Sequence, residues 1–478
     1  MRRAALALLV LGLATARPHA QEQTRPQVHL SLQQGHILAA HALNSGNPQL
    51  ALRLSDALLQ ADRRNHAAWH LQAAAYARAG QPAKGRKSAA RAFRFAPDSA
   101  TKYQMAQLAS RLAFQGGSPV LSQYWLRRTA VHAPDEKADA LIAKDYQALR
   151  RISPWSFRLS GGLKPSNNVN NGSDAATQEV DGLSSHVAPR FGPRSVALSG
   201  LVGTLDTGIG RRLQQSSTSL TSLSGRLYVQ RVALSSSAKE KAAELARLTH
   251  TTVPRNSEFG STYGEITLSH AFSAGAAGQG GTARISLTGA SSWYGGERNY
   301  NLAKLSATRG WTLSPHMRLT VSGSAEHRLN PRVVSLDANV FGLGASLLRD
   351  LGSGSRLDFS LALRDTRSKS IYATGETATF RIGYAHGRLV GPAKISTGLT
   401  LGAADYPSQL FAHNGVFTAI PGGRQDQSVY ADLNLLFDSY DYAGFAPMLR
   451  LRAGRRSSNF SKFDSSEFSV SLGIESKF

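Results

Sequence analysis

The 478-residue chain is strongly basic, with a formal net charge of +24, and has no cysteine, which excludes thiol catalysis, zinc–thiolate sites and a lipidated N-terminal cysteine. Beyond the N-terminus no apolar run reaches the ~20 residues that a spanning helix needs, so a membrane role would require strands, which hide their lipid face in alternation. The basic residues are spread along the chain, and export would remove it from nucleic acid. The charge is expected to meet anionic lipid headgroups or acidic client segments, with no nucleic-acid partner.

Residues 1–20 read as a secretory signal: Arg2 and Arg3, the apolar run Ala4–Leu13, then small residues ending at Ala16 or Ala20. Residues 21–150 form the second expected segment, a tetratricopeptide-like helical domain. There Leu50, Leu52, Leu54, Ala57, Leu58 and Ala61 recur with helical spacing. Gly46 and Gly80 open similar helices thirty-four residues apart, the tetratricopeptide period. A looser third unit follows, the Ala-Pro-Asp at Ala96–Asp98 returning thirty-seven residues later at Ala133–Asp135. Such an array offers a groove for a peptide or partner, with Tyr76, Arg78, Tyr103, Tyr124 and Arg127 as the candidates to line it. Packing between helices is the competing reading of the same residues.

From 151 to 478 the composition turns to Gly, Ser, Thr, Leu and Arg and the period falls to two. Leu357, Phe359, Leu361 and Leu363 alternate with Arg356, Asp358, Ser360 and Arg364; Phe380 and Ile382 flank Arg381; Leu449 and Leu451 alternate with Arg450 and Arg452. Arginine facing lipid at the bilayer midplane costs roughly 2–4 kcal/mol, so Arg356, Arg364, Arg381, Arg450 and Arg452 are expected to line a wet lumen. About fourteen such stretches occur, from residues 155–163 and 196–210 through 376–389 and 428–441 to 466–478. An even number suits a closed antiparallel barrel. Connections at one end are short, as at Ser314–His316, while Lys164–Ser195, Ser235–Gly260 and Tyr406–Gln427 are long. That asymmetry is the outer-membrane pattern, with the helical domain in the periplasm of a Gram-negative cell. The last strand alternates Phe468, Val470, Leu472 and Ile474 and ends on Phe478, the expected signal for the barrel-assembly machinery.

Catalytic patterns are missing: no His-Glu-x-x-His pair, no Gly-x-Ser-x-Gly elbow, no glycine-rich phosphate loop, and one lone Asp206-Thr207-Gly208 where a dyad needs two carboxylates. No enzyme activity, cofactor or metal is expected. A short helix is expected at Ala238–Arg247.

The stretch Pro165–Ser173, PSNNVNNGS, follows the first strand. Asparagines that bond their own main chain are one reading. Together with the signal, the short helical array and the fourteen strands, this Pro-x-x-Asn-x-Asn-Asn segment resembles the Slam family, the surface lipoprotein assembly modulators, with Pro165, Asn168, Asn170 and Asn171 as the matching positions. The resemblance implies an outer-membrane translocator that delivers a client lipoprotein or secreted protein to the cell surface, its helical array meeting clients or a periplasmic chaperone. The alternative with the same domain order is a polysaccharide-export barrel on a tetratricopeptide scaffold.

Overall fold

The computed structural model describes residues 30–181, 189–275, 280–413, 416–440, 442 and 445–476. The signal-like segment and Phe478 lie outside the described residues. The chain divides into two compact units, Met1–Ala96 and Pro97–Phe478.

The first unit holds α1 (Leu32–Asn44), α2 (Pro48–Ala61), α3 (His66–Arg78) and α4 (Pro82–Phe95). Ser31 and Gln34 cap α1 reciprocally, and the Asn47 and Asn65 side chains accept the first free amides of α2 and α3. Gly46 and Gly80 take φ of 75° and 71°, and each is followed two residues later by the proline that opens the next helix. This Gly-x-Pro turn is the physical content of the thirty-four-residue spacing. It occurs a third time at Gly117-Ser118-Pro119. The packed residues are mostly alanines, Ala39, Ala51, Ala68, Ala73, Ala75 and Ala89 being fully buried. Small side chains let helices approach closely and leave the larger residues to the surface.

The second unit begins with α5 (Ser99–Gln115), α6 (Pro119–Ala130) and α7 (Glu136–Ile152), which share a core of Leu126, Ile142, Tyr146 and Leu149. The strands follow: β1 (Trp155–Ser166), β2 (Gly200–Gln215), β3 (Ser219–Leu234), β4 (Ser261–Ala274), β5 (Gly281–Tyr294), β6 (Glu297–Ser314), β7 (Met317–Leu329), β8 (Ala338–Asp350), β9 (Arg356–Ser368), β10 (Gly375–Ala385) and β11 (Lys394–Tyr406). A small hairpin, β12 (Leu410–His413) and β13 (Val416–Ala419), precedes β14 (Arg424–Leu436), β15 (Phe445–Ser458) and β16 (Ser465–Ser476). All but the hairpin close into a fourteen-stranded antiparallel barrel, β16 meeting β1. Among the described residues no helix is long and apolar enough to cross a membrane.

Register assigns the two faces. Leu268 of β4 pairs with Leu287 of β5, which pairs with Leu305 of β6, and Leu343 of β8 pairs with Leu363 of β9. All five are exposed on the outside, with Leu305 at 55% and Leu343 at 64%, and so are Phe157, Leu159 and Leu472. A continuous apolar exterior of this kind would be unstable in water and is the surface that a bilayer covers. The opposite parity, Ser286, Ser306, Ser324, Ser346 and Ser360, lies on the lumen side of the same ladders.

The expected strand over 196–210 begins instead at Gly200. Val196 and Leu198 are buried at 2% and 0%, drawn into a core formed by the loops. The expected strand at 428–441 begins four residues earlier, at Arg424, and ends at Leu436. The loop expected over 406–427 carries the β12–β13 hairpin, and the short helix expected at Ala238–Arg247 is α8 (Ser236–Leu248).

Candidate functional site

Inside the barrel, basic and acidic side chains meet between strands that are adjacent or separated by one strand. Arg381 grips the Asp432 carboxylate with two nitrogens, at 2.6 and 3.0 Å. Arg226 does the same to Asp206 at 2.9 and 2.7 Å, and Arg158 reaches the same carboxylate at 3.4 Å. Glu467 receives Lys164 at 3.0 Å and Arg452 at 3.3 Å. Asp206 of the Asp-Thr-Gly triplet is therefore an ion-pair partner in the wall.

The five arginines expected in the lumen all occupy the inward parity of their strands. Arg381 and Arg452 hold carboxylates, and Arg452 also lies 4.4 Å from the centre of the Tyr430 ring. Arg450 donates to the Asn434 amide oxygen, Arg356 pairs with Asp350 at 2.9 Å beside a turn, and Arg364 lies on the same face of β9, opposite Thr377 of β10. The wet lumen expected from these arginines also holds the carboxylates of Asp206, Asp432 and Glu467, which occupy the inward parity of their strands.

One mouth of the barrel carries a folded cap. The β1–β2 loop supplies Val169, Val180, Phe191, Val196 and Leu198; the β3–β4 connection supplies Ala238 and Ala242 of α8 and Phe259; Phe411, Ile420 and Phe460 come from two further connections. This cluster packs against Val202, Val232 and Leu234, which sit at the strand ends. Arg424, at the start of β14, is buried with its guanidinium 3.6 Å from the ring centres of both Tyr406 and Phe463, and it pairs with Asp426 at 3.1 Å. Burial between two rings strips its water, and the rings and carboxylate replace it.

The asparagine motif builds this cap. Asn168 donates to the Gly172 carbonyl at 2.8 Å and accepts from the Gly172 amide at 2.9 Å. Asn170 donates to Val196 O at 2.7 Å and to Arg194 O at 3.3 Å, and accepts from the Leu198 amide at 2.9 Å. Each carboxamide thus imitates a peptide group and pairs with backbone that no strand satisfies. Asn171 adopts φ of 53°, which asparagine tolerates, and a Cβ on Gly172 would run into the Val196 carbonyl. Pro165 sits opposite Leu201 near the end of β1. Asn167, outside the expected set, accepts from the Phe468 amide at 3.0 Å and fastens the loop to β16.

Arg194 joins the first loop to the connection before β4, donating to Glu258 at 2.7 Å and to Thr252 O at 3.0 Å. The guanidinium, helped by the Arg255 amide, holds the Glu258 carboxyl below the usual carboxylate range.

The helical candidates fall in both units. Tyr76 is half-buried with Lys84 over its ring, and Arg78 donates to Leu43 O at 2.6 Å, capping the end of α1. In the second unit Tyr103 packs on the α5–α7 core and Tyr124 is exposed, accepting from Arg128 at 3.2 Å. Arg127 donates to the Tyr146 hydroxyl at 3.0 Å and lies 4.7 Å from the centre of the Phe445 ring at the start of β15, so it ties the helices to the barrel. Arg212 of β2 adds a second tie, donating to Arg151 O at 2.6 Å.

A closed barrel with an apolar exterior and a charged lumen defines the class of transmembrane β-barrels. No family model matches the sequence and no curated protein matches it. Solved structures align with the barrel at low similarity. OccAB3 of Acinetobacter baumannii is 8% identical, with a TM-score of 0.35, over 67% of this chain and 98% of that one. A loop-deletion mutant of OmpT, an outer-membrane protein of Vibrio cholerae, is 6% identical, with a TM-score of 0.33, over 68% and 99%. The Pseudomonas putida toluene transporter TodX is 10% identical, with a TM-score of 0.31, over 69% and 92%. At these scores the likeness carries no argument, and the class rests on the wall itself.

Proposed function

We propose that the chain is an outer-membrane transporter barrel and that its cargo is a polypeptide, a lipoprotein or secreted client delivered to the cell surface as in the Slam family. The observation that carries this reading is the lumen, where cations pair with carboxylates on adjacent or next-but-one strands. Many exchangeable polar contacts of both signs hold an extended peptide weakly at each point and let it pass, whereas one tight site would trap it. A cap with its own core at the mouth also differs from the open loops that a passive pore needs.

On this reading residues 1–20 are the export signal, residues 21–150 work in the periplasm on clients or a chaperone, and residues 151–478 are inserted by the barrel-assembly machinery reading Phe478. The test deletes the gene and adds protease to intact cells carrying a lipoprotein encoded beside it. Loss of protease accessibility with unchanged total lipoprotein is expected; unchanged accessibility sinks the reading.

A further inference from the structure

The fourteen strands hold three tryptophans, and each has an arginine over its ring. Arg211 lies 5.2 Å from the ring centre of Trp155, Arg298 5.8 Å from that of Trp293 and Arg309 5.3 Å from that of Trp311. All three pairs face outward. Trp293 shares the parity of Leu287 on β5, Arg309 and Trp311 share that of Leu305 on β6, and Arg298 stands opposite Trp293 across a bulge. Trp155 stacks on the exposed Phe157, and Arg211 is its partner in register. In the lumen Arg226, Arg381 and Arg452 hold carboxylates, whereas these three arginines are backed by indole.

Two of the pairs mark the two ends of one strand. Arg298 and Arg309 are eleven residues apart on β6 (309 − 298). At ~3.3 Å per residue and a strand tilt of ~40°, that is a height of ~28 Å, against the ~25 Å of a barrel's apolar band. Between them Ala303, Leu305 and Ala307 face outward, and Asn301, which accepts from Ser291 at 2.7 Å, begins the polar zone next to Arg298. The spacing therefore puts one guanidinium at each headgroup level and neither at the midplane, where an outward arginine is most costly. Stacking occupies the flat face of a guanidinium and leaves the N–H donors at its edge, in the geometry that a phosphate accepts with two oxygens. Indole is suited to the same depth, its ring apolar and its N–H wet.

We infer that Arg309 with Trp311, and Arg298 with Trp293, are seats for the phosphate of an anionic membrane lipid, one in each leaflet, which fix the depth of the barrel in the bilayer. The occupant follows from continuity with the apolar wall that lipid covers and from charge: cations at headgroup height meet anionic phosphate. The inference rests on the reading of the barrel as bilayer-spanning and is separate from what the lumen transports.

The tryptophans are themselves the reporters. In the full chain, Trp155→Phe with Trp293→Phe leaves Trp311 as the one barrel tryptophan, and Trp155→Phe with Trp311→Phe leaves Trp293. Each chain is reconstituted in vesicles of phosphatidylcholine with brominated acyl chains, which quench indole fluorescence on contact. The brominated lipid is then replaced stepwise by unbrominated phosphatidylglycerol or unbrominated phosphatidylcholine. Phosphatidylglycerol is expected to relieve the quenching about five-fold more effectively at both reporters, the preference that one arginine at an anionic surface supplies. Arg309→Gln is expected to abolish the preference at Trp311 and leave it at Trp293, and Arg298→Gln to do the converse, so the unaffected reporter shows that each variant is inserted. Arg349→Gln, which removes an outward arginine at the same end as Arg309 that lies over no ring among the described residues, is expected to change neither reading. Equal relief by the two lipids, or a preference that survives loss of the stacked arginine, overturns the seats. Absence of quenching at both tryptophans instead overturns the bilayer-spanning reading on which they stand.

Discussion

The barrel wall and the loop cap bury apolar side chains in opposite senses. In the wall, Leu287, Leu305 and Leu343 point away from the protein and the interior is ionic; in the cap, Val196, Leu198, Phe259 and Phe460 point at one another and the polar groups lie outside or bond backbone. One region depends on lipid to cover its leucines, while the other has a water-soluble core of its own. The cap can therefore be loosened without dissolving the barrel, and the barrel can be destabilised without touching the cap.

The largest separation is expected from Leu198→Ala. The residue is fully buried in the cap core, and such truncations cost about 2–5 kcal/mol. Limited proteolysis should cleave the loop over 167–199 in the variant while the barrel keeps its heat-dependent mobility on electrophoresis; coincident loss of both would deny the cap its independence. Next comes the wall: Leu287→Arg places a guanidinium on the outward face near the middle of β5 and should cost ~2–4 kcal/mol in vesicles. Ser286→Arg, one residue away on the lumen face, should cost far less in the same urea titration, and equal losses would mean that the face assignment is wrong.

Asn170→Ala removes two donors and one acceptor that serve Arg194, Val196 and Leu198 backbone. A loss of about 1–3 kcal/mol is expected, read as faster hydrogen exchange at the Leu198 amide, with barrel amides unchanged. The smallest effect concerns pH. Glu258 has its folded-state pKa depressed by Arg194, so the pair's stabilisation is present above the unfolded carboxylate value of about 4.3 and is lost as pH falls through the lowered folded value. Being half-exposed, the pair is worth no more than ~1 kcal/mol. Protease sensitivity of the cap should rise on acidification in the natural chain, and Arg194→Gln should show the raised sensitivity already at neutral pH.

The legible part of the molecule was periodic. Alternation at Leu357–Arg364 or Leu449–Arg452 recovered strands to within a few residues, and the strand expected at 196–210 is shifted to Gly200–Gln215 because Val196 and Leu198 continue an apolar pattern whose partners come from other loops. Asn168, bonded to Gly172 four residues on, follows the reading of asparagines that bond their own main chain, but the role of Asn170 was not legible, since the carbonyls of Arg194 and Val196 lie more than twenty residues along the chain. Arg78 and Arg127 looked available for a client and proved to be engaged, one on the Leu43 carbonyl and the other on Tyr146 and Phe445.

By itself the sequence determined that helices of thirty-four-residue spacing are followed by fourteen amphipathic strands, because one-dimensional period dictates which face of an element is apolar. Only the tertiary structure decided which carboxylate neutralises which arginine and how four connections assemble one cap. Those features depend on register and on contacts between residues as far apart as Asn167 and Phe468, and closure of the ring is what brings such distances to hydrogen-bond length.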